Sequence, residues 1–148
     1  MTQSQQAIIL FGHGSRDPRW AQTLHAVAKQ LQSDHPTRVV RCAYLEFMQP
    51  GLPETLRSLY AEGLKHVRVA PVFLAAGGHV LRDLPDRAAG LRAAFPGLSV
   101  QIEPALGASE SVIEAMPQVC MDAVSIPHDR IAQSLVSGRA PGAIGAAD

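Results

Sequence analysis

Short, unbroken apolar runs alternate with longer stretches of helical period along this chain, and this alternation constrains its fold more than any other feature. Ala7–Phe11 is apolar at every position. That pattern suits a parallel strand covered on both faces, not a strand with one wet side. Asp17-Pro18 then marks a helix start, because Asp caps free amides and Pro fits the first helical turn. Ala21, Leu24, Ala28 and Leu31 follow at helical spacing, and Pro36 marks the loop beyond. Arg38–Leu45 is a second strand, broken by Gln49-Pro50-Gly51. Leu52, Leu56, Leu59 and Tyr60 form the next helical stripe, with Gly63 as its stop.

His66–Phe73 is the third expected strand. A helix from about Val80 to Phe95 follows, with Pro85 expected to divide it into a short turn and a longer helix. Leu98–Ile102 is the fourth strand. Ser111 and Glu114 have the spacing of a capping box for a last helix toward Val124. Pro117 lies inside that segment, and the sequence leaves open whether it kinks the helix or shifts its start. The order predicts an α/β fold, an open, mostly parallel four-stranded sheet with helices on both faces: a three-layer sandwich of flavodoxin or Rossmann type.

The 148 residues fit a single domain, expected over 1–126, with an Ala/Gly/Ser-rich tail over 127–148 that is flexible from about 137. Aromatics make up only 5% of the chain, so the core must be built from Val, Leu, Ile and Ala. A formal net charge of +0 supplies no global attraction to nucleic acid or to an acidic membrane surface. Cys42 and Cys120 are far apart and outside any Cys-x-x-Cys pattern, so they read as two buried thiols in a reducing compartment. Met1–Gln6 lacks the charged and apolar parts of a signal peptide. No run approaches the roughly 18 apolar residues of a bilayer span. A cytoplasmic protein is the expectation.

In open parallel sheets, ligands bind beyond the carboxyl ends of the strands. The loops expected there carry His13, Ser15, Arg16, Glu46, His79 and Arg82. His13 lies between Gly12 and Gly14, and Gly77 and Gly78 precede His79, so backbone can approach a ligand closely at both places. Two imidazoles facing one cleft, with Glu46 beside them, suit a divalent metal of the Co, Ni, Fe or Zn group. They equally suit proton transfer near neutral pH. Each residue also has a plainer role open to it: a polar loop residue for the histidines, a solvated strand end for Glu46, a helix cap for Ser15. Arg16, Arg19 and Arg82 are either carboxylate ligands or surface charges. His25, His35, His66 and His128 fall within a helix, at the opposite sheet edge or before the tail. There is no Gly-x-Ser-x-Gly elbow, no Walker loop and no Gly-x-Gly-x-x-Gly after the first strand.

Three blocks carry a resemblance: Leu10-Phe11-Gly12-His13-Gly14-Ser15-Arg16, Ala43-Tyr44-Leu45-Glu46-Phe47, and the long run from Ala70 to Pro85. In this order they resemble the short sirohydrochlorin chelatases of the CbiX/SirB type, in the class II chelatase superfamily. The likeness spans about Ala7 to Leu106. It implies ATP-independent insertion of a divalent metal into sirohydrochlorin. Cobalt, for cobalamin synthesis, is favoured, with iron or nickel as alternatives; the metal is a substrate, and no permanently bound cofactor is implied. The resemblance makes His13 the proton acceptor and a metal ligand, and His79 the second ligand. It places Glu46, Leu74, Ala75, Ala76, Gly77 and Gly78 against the tetrapyrrole, and it implies a homodimer. A non-catalytic tetrapyrrole- or metal-binding protein is the rival from another class.

Overall fold

The computed structural model describes residues 6–75 and 79–125, without the side chains of 79–81. The described chain divides into two compact units, Met1–Ala108 and Ser109–Asp148. The first holds strands β1 (Gln6–Gly12), β2 (Val39–Tyr44), β3 (His66–Pro71) and β4 (Ser99–Ile102) and helices α1 (Gln22–Asp34), α2 (Leu52–Ala61) and α3 (His79–Ala94). The four strands form one sheet in the order β2-β1-β3-β4, and every pair is parallel.

Strand β1 is central, and its residues alternate between two cores. Ala7, Ile9 and Phe11 pack with Leu52, Leu56 and Leu59 of α2 and with Leu84 and Ala88 of α3. Ile8 and Leu10 face the other way, toward Ala21, just before α1, and Leu24 in its first turn. A strand covered on both sides must be apolar at every position, which is why β1 shows no polar alternation. Each fully buried Ile or Leu in these layers contributes about 1.5–3 kcal/mol over its exposed state.

Three local expectations need correction. Asp17 and Pro18 do not open α1 directly. They open a 3-10 helix, Pro18–Ala21, whose N-terminus Asp17 caps by accepting from the Arg19 N–H, and α1 follows from Gln22. Pro85 does not divide α3, which runs unbroken through it. The proline forfeits one backbone hydrogen bond, while Leu84 and Ala88 on either side of it are both buried and hold the two halves on the sheet. Helix α4 (Glu110–Val124) is capped at Ser109, not Ser111. Ser109 is extended, and its carbonyl accepts from Val112 and Ile113. Glu110 then places a negative charge in the first turn, where the helix dipole favours it. Helix α4 also continues through Pro117. The tail expected over 127–148 lies outside the described residues.

Gly63 ends α2 with φ +85, as a left-handed helix stop requires. Among the described residues, no helix is long and apolar enough to cross a membrane.

Candidate active site

From β1 the chain passes to β2 on one side, and β3 then joins β1 on the other. The loops after β1 and β3 therefore diverge at a topological switch point, where such sheets open a crevice. His13 is the first residue beyond β1, and His79 opens α3 after β3. The two strands that precede the histidines are thus parallel neighbours.

Pairing continues past the strand ends. The Leu45 N–H donates to the Gly12 carbonyl at 2.9 Å, and the Glu46 N–H donates to the His13 carbonyl at 3.0 Å. These bonds lock the backbones of residues 13 and 46 side by side. Gly14 makes the approach possible. Its φ is +92, and a Cβ there would fall 1.9 Å from the Glu46 carbonyl oxygen. The result is His13 Nε2 at 3.4 Å from Glu46 Oε1, with each side chain 48% exposed. Two ligand atoms at about 2.1 Å from one tetrahedral ion stand about 3.4 Å apart, so the pair has the separation of two ligands to a single metal. The Phe73 ring supports His13 edge-on, with centroids 6.5 Å apart and planes at 86°.

The other expected residues are placed less uniformly. Leu74 and Ala75 lie exposed in the loop after β3. Ala76, Gly77 and Gly78 lie outside the described residues, as does the side chain of His79. Among the described residues, no three His, Cys, Asp or Glu side chains cluster around a common point. Ser15 Oγ accepts from the Asp17 N–H at 3.1 Å, ahead of the 3-10 helix. Arg16 sits over the Phe47 ring, 5.1 Å from its centroid. Arg19 is engaged by Asp17, Nη2 to Oδ2 at 2.8 Å, and hydrogen bonding from Arg19 holds the Asp17 carboxyl below its usual range. Arg82 is exposed on α3.

Several features at this edge carry no motif in the sequence. Phe47 is a non-glycine residue with φ +62 and a half-exposed ring. Tyr44, buried at the end of β2, shares a 2.7 Å hydrogen bond with His25 Nε2. Burial, and then the nearby Cys42, push the Tyr44 phenol up, so it stays protonated near neutral pH. Burial also pushes the half-buried Cys42 thiol up, whereas Cys120, expected to be buried, is exposed on α4. A cleft of about 500 Å³ opens between the segment after β2 and helix α3, with Glu46, Phe47 and Arg87 among its walls. Exposed large apolar side chains also gather at this edge. Trp20, Phe47, Leu74 and Leu106 come one each from the segments that follow β1, β2, β3 and β4. Within Met1–Ala108 only Val27, on α1, adds to them among the described residues.

The sequence model of the CbiX family matches residues 7–123. A curated sirohydrochlorin cobaltochelatase of Methanococcus aeolicus is 38% identical over 81 residues, covering 55% of this chain and 57% of that protein. The sirohydrochlorin ferrochelatase of Bacillus subtilis is 24% identical over 135 residues, covering 91% of this chain and 51% of that protein. The match thus spans little more than half the length of these curated relatives. Among solved structures, a CbiX protein from Marinobacter aquaeolei VT8 superposes with a TM-score of 0.71 at 28% identity, covering 81% of this chain and 98% of that one. SirB of Bacillus subtilis subspecies spizizenii, in complex with cobalt, shares the fold with a TM-score of 0.69 at 24% identity, over 80% of this chain and 50% of that one.

Proposed function

Because the chain belongs to the CbiX family, we propose that it inserts a divalent metal ion into sirohydrochlorin without ATP, working in the cytoplasm. The observation that carries this reading is the His13–Glu46 pair, 3.4 Å apart at the carboxyl edge of the sheet. Four exposed apolar side chains from the same edge accompany it. A flat macrocycle needs apolar contact for its faces and a polar centre for its chemistry, and this edge offers both.

Insertion requires that both pyrrole protons leave as the metal enters. A neutral His13 imidazole binds the incoming ion through Nε2 and then accepts one of the two protons once the ion passes to the ring, while the second leaves to solvent water at this half-exposed edge. The Glu46 carboxylate shares the ion and stabilises the imidazolium that forms. His79, at the start of α3, completes the ligand set. Leu74, Ala75, Ala76, Gly77 and Gly78 contact the tetrapyrrole. Holding ring and ion together removes the entropy cost of their encounter.

Cobalt is the favoured metal, on the strength of the cobaltochelatase relatives. Iron is the second reading, favoured by the Bacillus subtilis ferrochelatase that aligns along most of this chain. The working assembly is a homodimer. The match to half of the SirB chain supports this, a second copy then standing in for the other half.

Absorbance spectroscopy of purified protein with sirohydrochlorin and Co²⁺, Fe²⁺ or Ni²⁺ tests the reading. The expected result is spectral conversion faster than without protein, and fastest with Co²⁺. Ligand binding without acceleration would instead identify a tetrapyrrole carrier.

A further inference from the structure

We infer that Arg87, on α3, reads a carboxylate on the rim of the substrate, with Arg16 holding a second at the same cleft; this rests on the tetrapyrrole assignment. The cleft beside Glu46 has a volume of about 500 Å³. Small-molecule sites occupy about 300–1,000 Å³, so it admits one edge of a macrocycle. Its α3 wall carries Leu84, Arg87 and Leu91. These positions share one helix face, so the guanidinium rises from an otherwise apolar stripe. Glu46 stands in the same cleft, which therefore begins beside His13.

Arg38 and Arg92 of this unit are bonded to Gln6 and to the Val100 carbonyl. Arg19, Arg41 and Arg68 are paired with Asp17, Glu62 and Glu103 at 2.8, 3.0 and 3.2 Å. Arg87 and Arg16 make no ion pair among the described residues. Arg16 is instead laid on the Phe47 ring, which lines the cleft. Glu54 also lines it, but its carboxylate is folded onto Gly51 at the N-terminus of α2. A Cβ on Gly51 would meet Oε2 at 2.7 Å. The helix dipole favours the carboxylate there and leaves Arg87 for a ligand. An apolar wall bearing an unengaged guanidinium fits a ring edge that carries a carboxylate, which the planar fork grips through two parallel hydrogen bonds.

Steady-state insertion and direct binding separate the possibilities. Trp20, the chain's single tryptophan, is 41% exposed at this edge and serves as the fluorescence probe for macrocycle binding. Arg87→Gln is expected to raise both KM and Kd for sirohydrochlorin roughly tenfold, the loss of one charge-assisted contact. Its kcat should stay within about twofold of wild type, as for an interaction made equally in ground and transition states. Arg87→Lys should be intermediate, because it keeps the charge and loses the fork. Arg57→Gln, an exposed site on α2 outside the cleft, should match wild type. Unchanged KM and Kd in Arg87→Gln, with wild type active, would overturn the inference. So would a loss confined to kcat. Failure of wild type itself to bind the macrocycle or metallate it would overturn the functional assignment instead.

Discussion

The two edges of the sheet are built from similar residue types and use them in opposite ways. At the amino edge, polar side chains are engaged with backbone and with each other. Gln32 donates to the Arg38 carbonyl at 2.6 Å and accepts from the Val40 N–H at 3.1 Å. Arg38 donates to Gln6. Arg92 Nε donates to the Val100 carbonyl at 2.9 Å, and Tyr60 donates to the Pro96 carbonyl at 3.1 Å. At the carboxyl edge, His13 and Glu46 face one another half-exposed, and large apolar side chains point into solvent. Polar groups that satisfy backbone hold a fold together, whereas polar groups left for each other beside exposed apolar surface are available to a ligand. The histidines illustrate the difference, since His66 at the amino edge has no carboxylate partner among the described residues while His13 has Glu46.

The strongest way to break the carboxyl edge without touching a reactive group is Gly14→Ala. The new Cβ meets the Glu46 carbonyl at 1.9 Å, at a φ of +92 that alanine avoids. The expected cost is about 2 kcal/mol or more. Calorimetry should show Tm lower by roughly 5–10 °C, and metal insertion should be lost because the paired loops separate. A variant with unchanged Tm and rate would show that the loops do not depend on this contact.

A smaller effect is expected from beneath the site. Tyr44→Phe removes the hydrogen bond to His25, at a cost of about 1 kcal/mol near neutral pH. The Tyr44 pKa is raised in the folded state from its ordinary 10.0, so the folded protein holds that proton more tightly than the unfolded chain does. The stability it contributes is complete below pH 10 and is lost as pH rises through the elevated folded value. Denaturant titrations should therefore find wild type losing stability more steeply than Tyr44→Phe above pH 10. Parallel curves would contradict the assigned burial effect.

The sequence made some of this legible and not the rest. The doubly buried β1 was readable because five consecutive apolar residues leave no other arrangement for a short strand. His13 was marked by its flanking glycines, and Glu46 by its place at a strand end. Their contact was not readable, because it depends on which strands are neighbours and on pairing that runs past the strand ends. Arg87 carried no signal, since an arginine on a helix looks the same in sequence whether it meets water or a cleft. The shift of the α4 cap to Ser109 and the unbroken helix at Pro85 have a common cause. Local propensity is weak beside tertiary burial and backbone context, so a serine or a proline does not set a helix boundary alone.

The most direct test of the difference between the edges measures the insertion rates of wild type, His13→Ala and His66→Ala side by side, with Co²⁺ and sirohydrochlorin. A positioned base contributes about 10²–10⁴-fold, so His13→Ala should fall by at least about 100-fold while keeping the wild-type Tm. His66→Ala should be indistinguishable from wild type. Near-normal insertion by His13→Ala, or an equal loss in both variants, would contradict the assignment of the chemistry to the carboxyl edge.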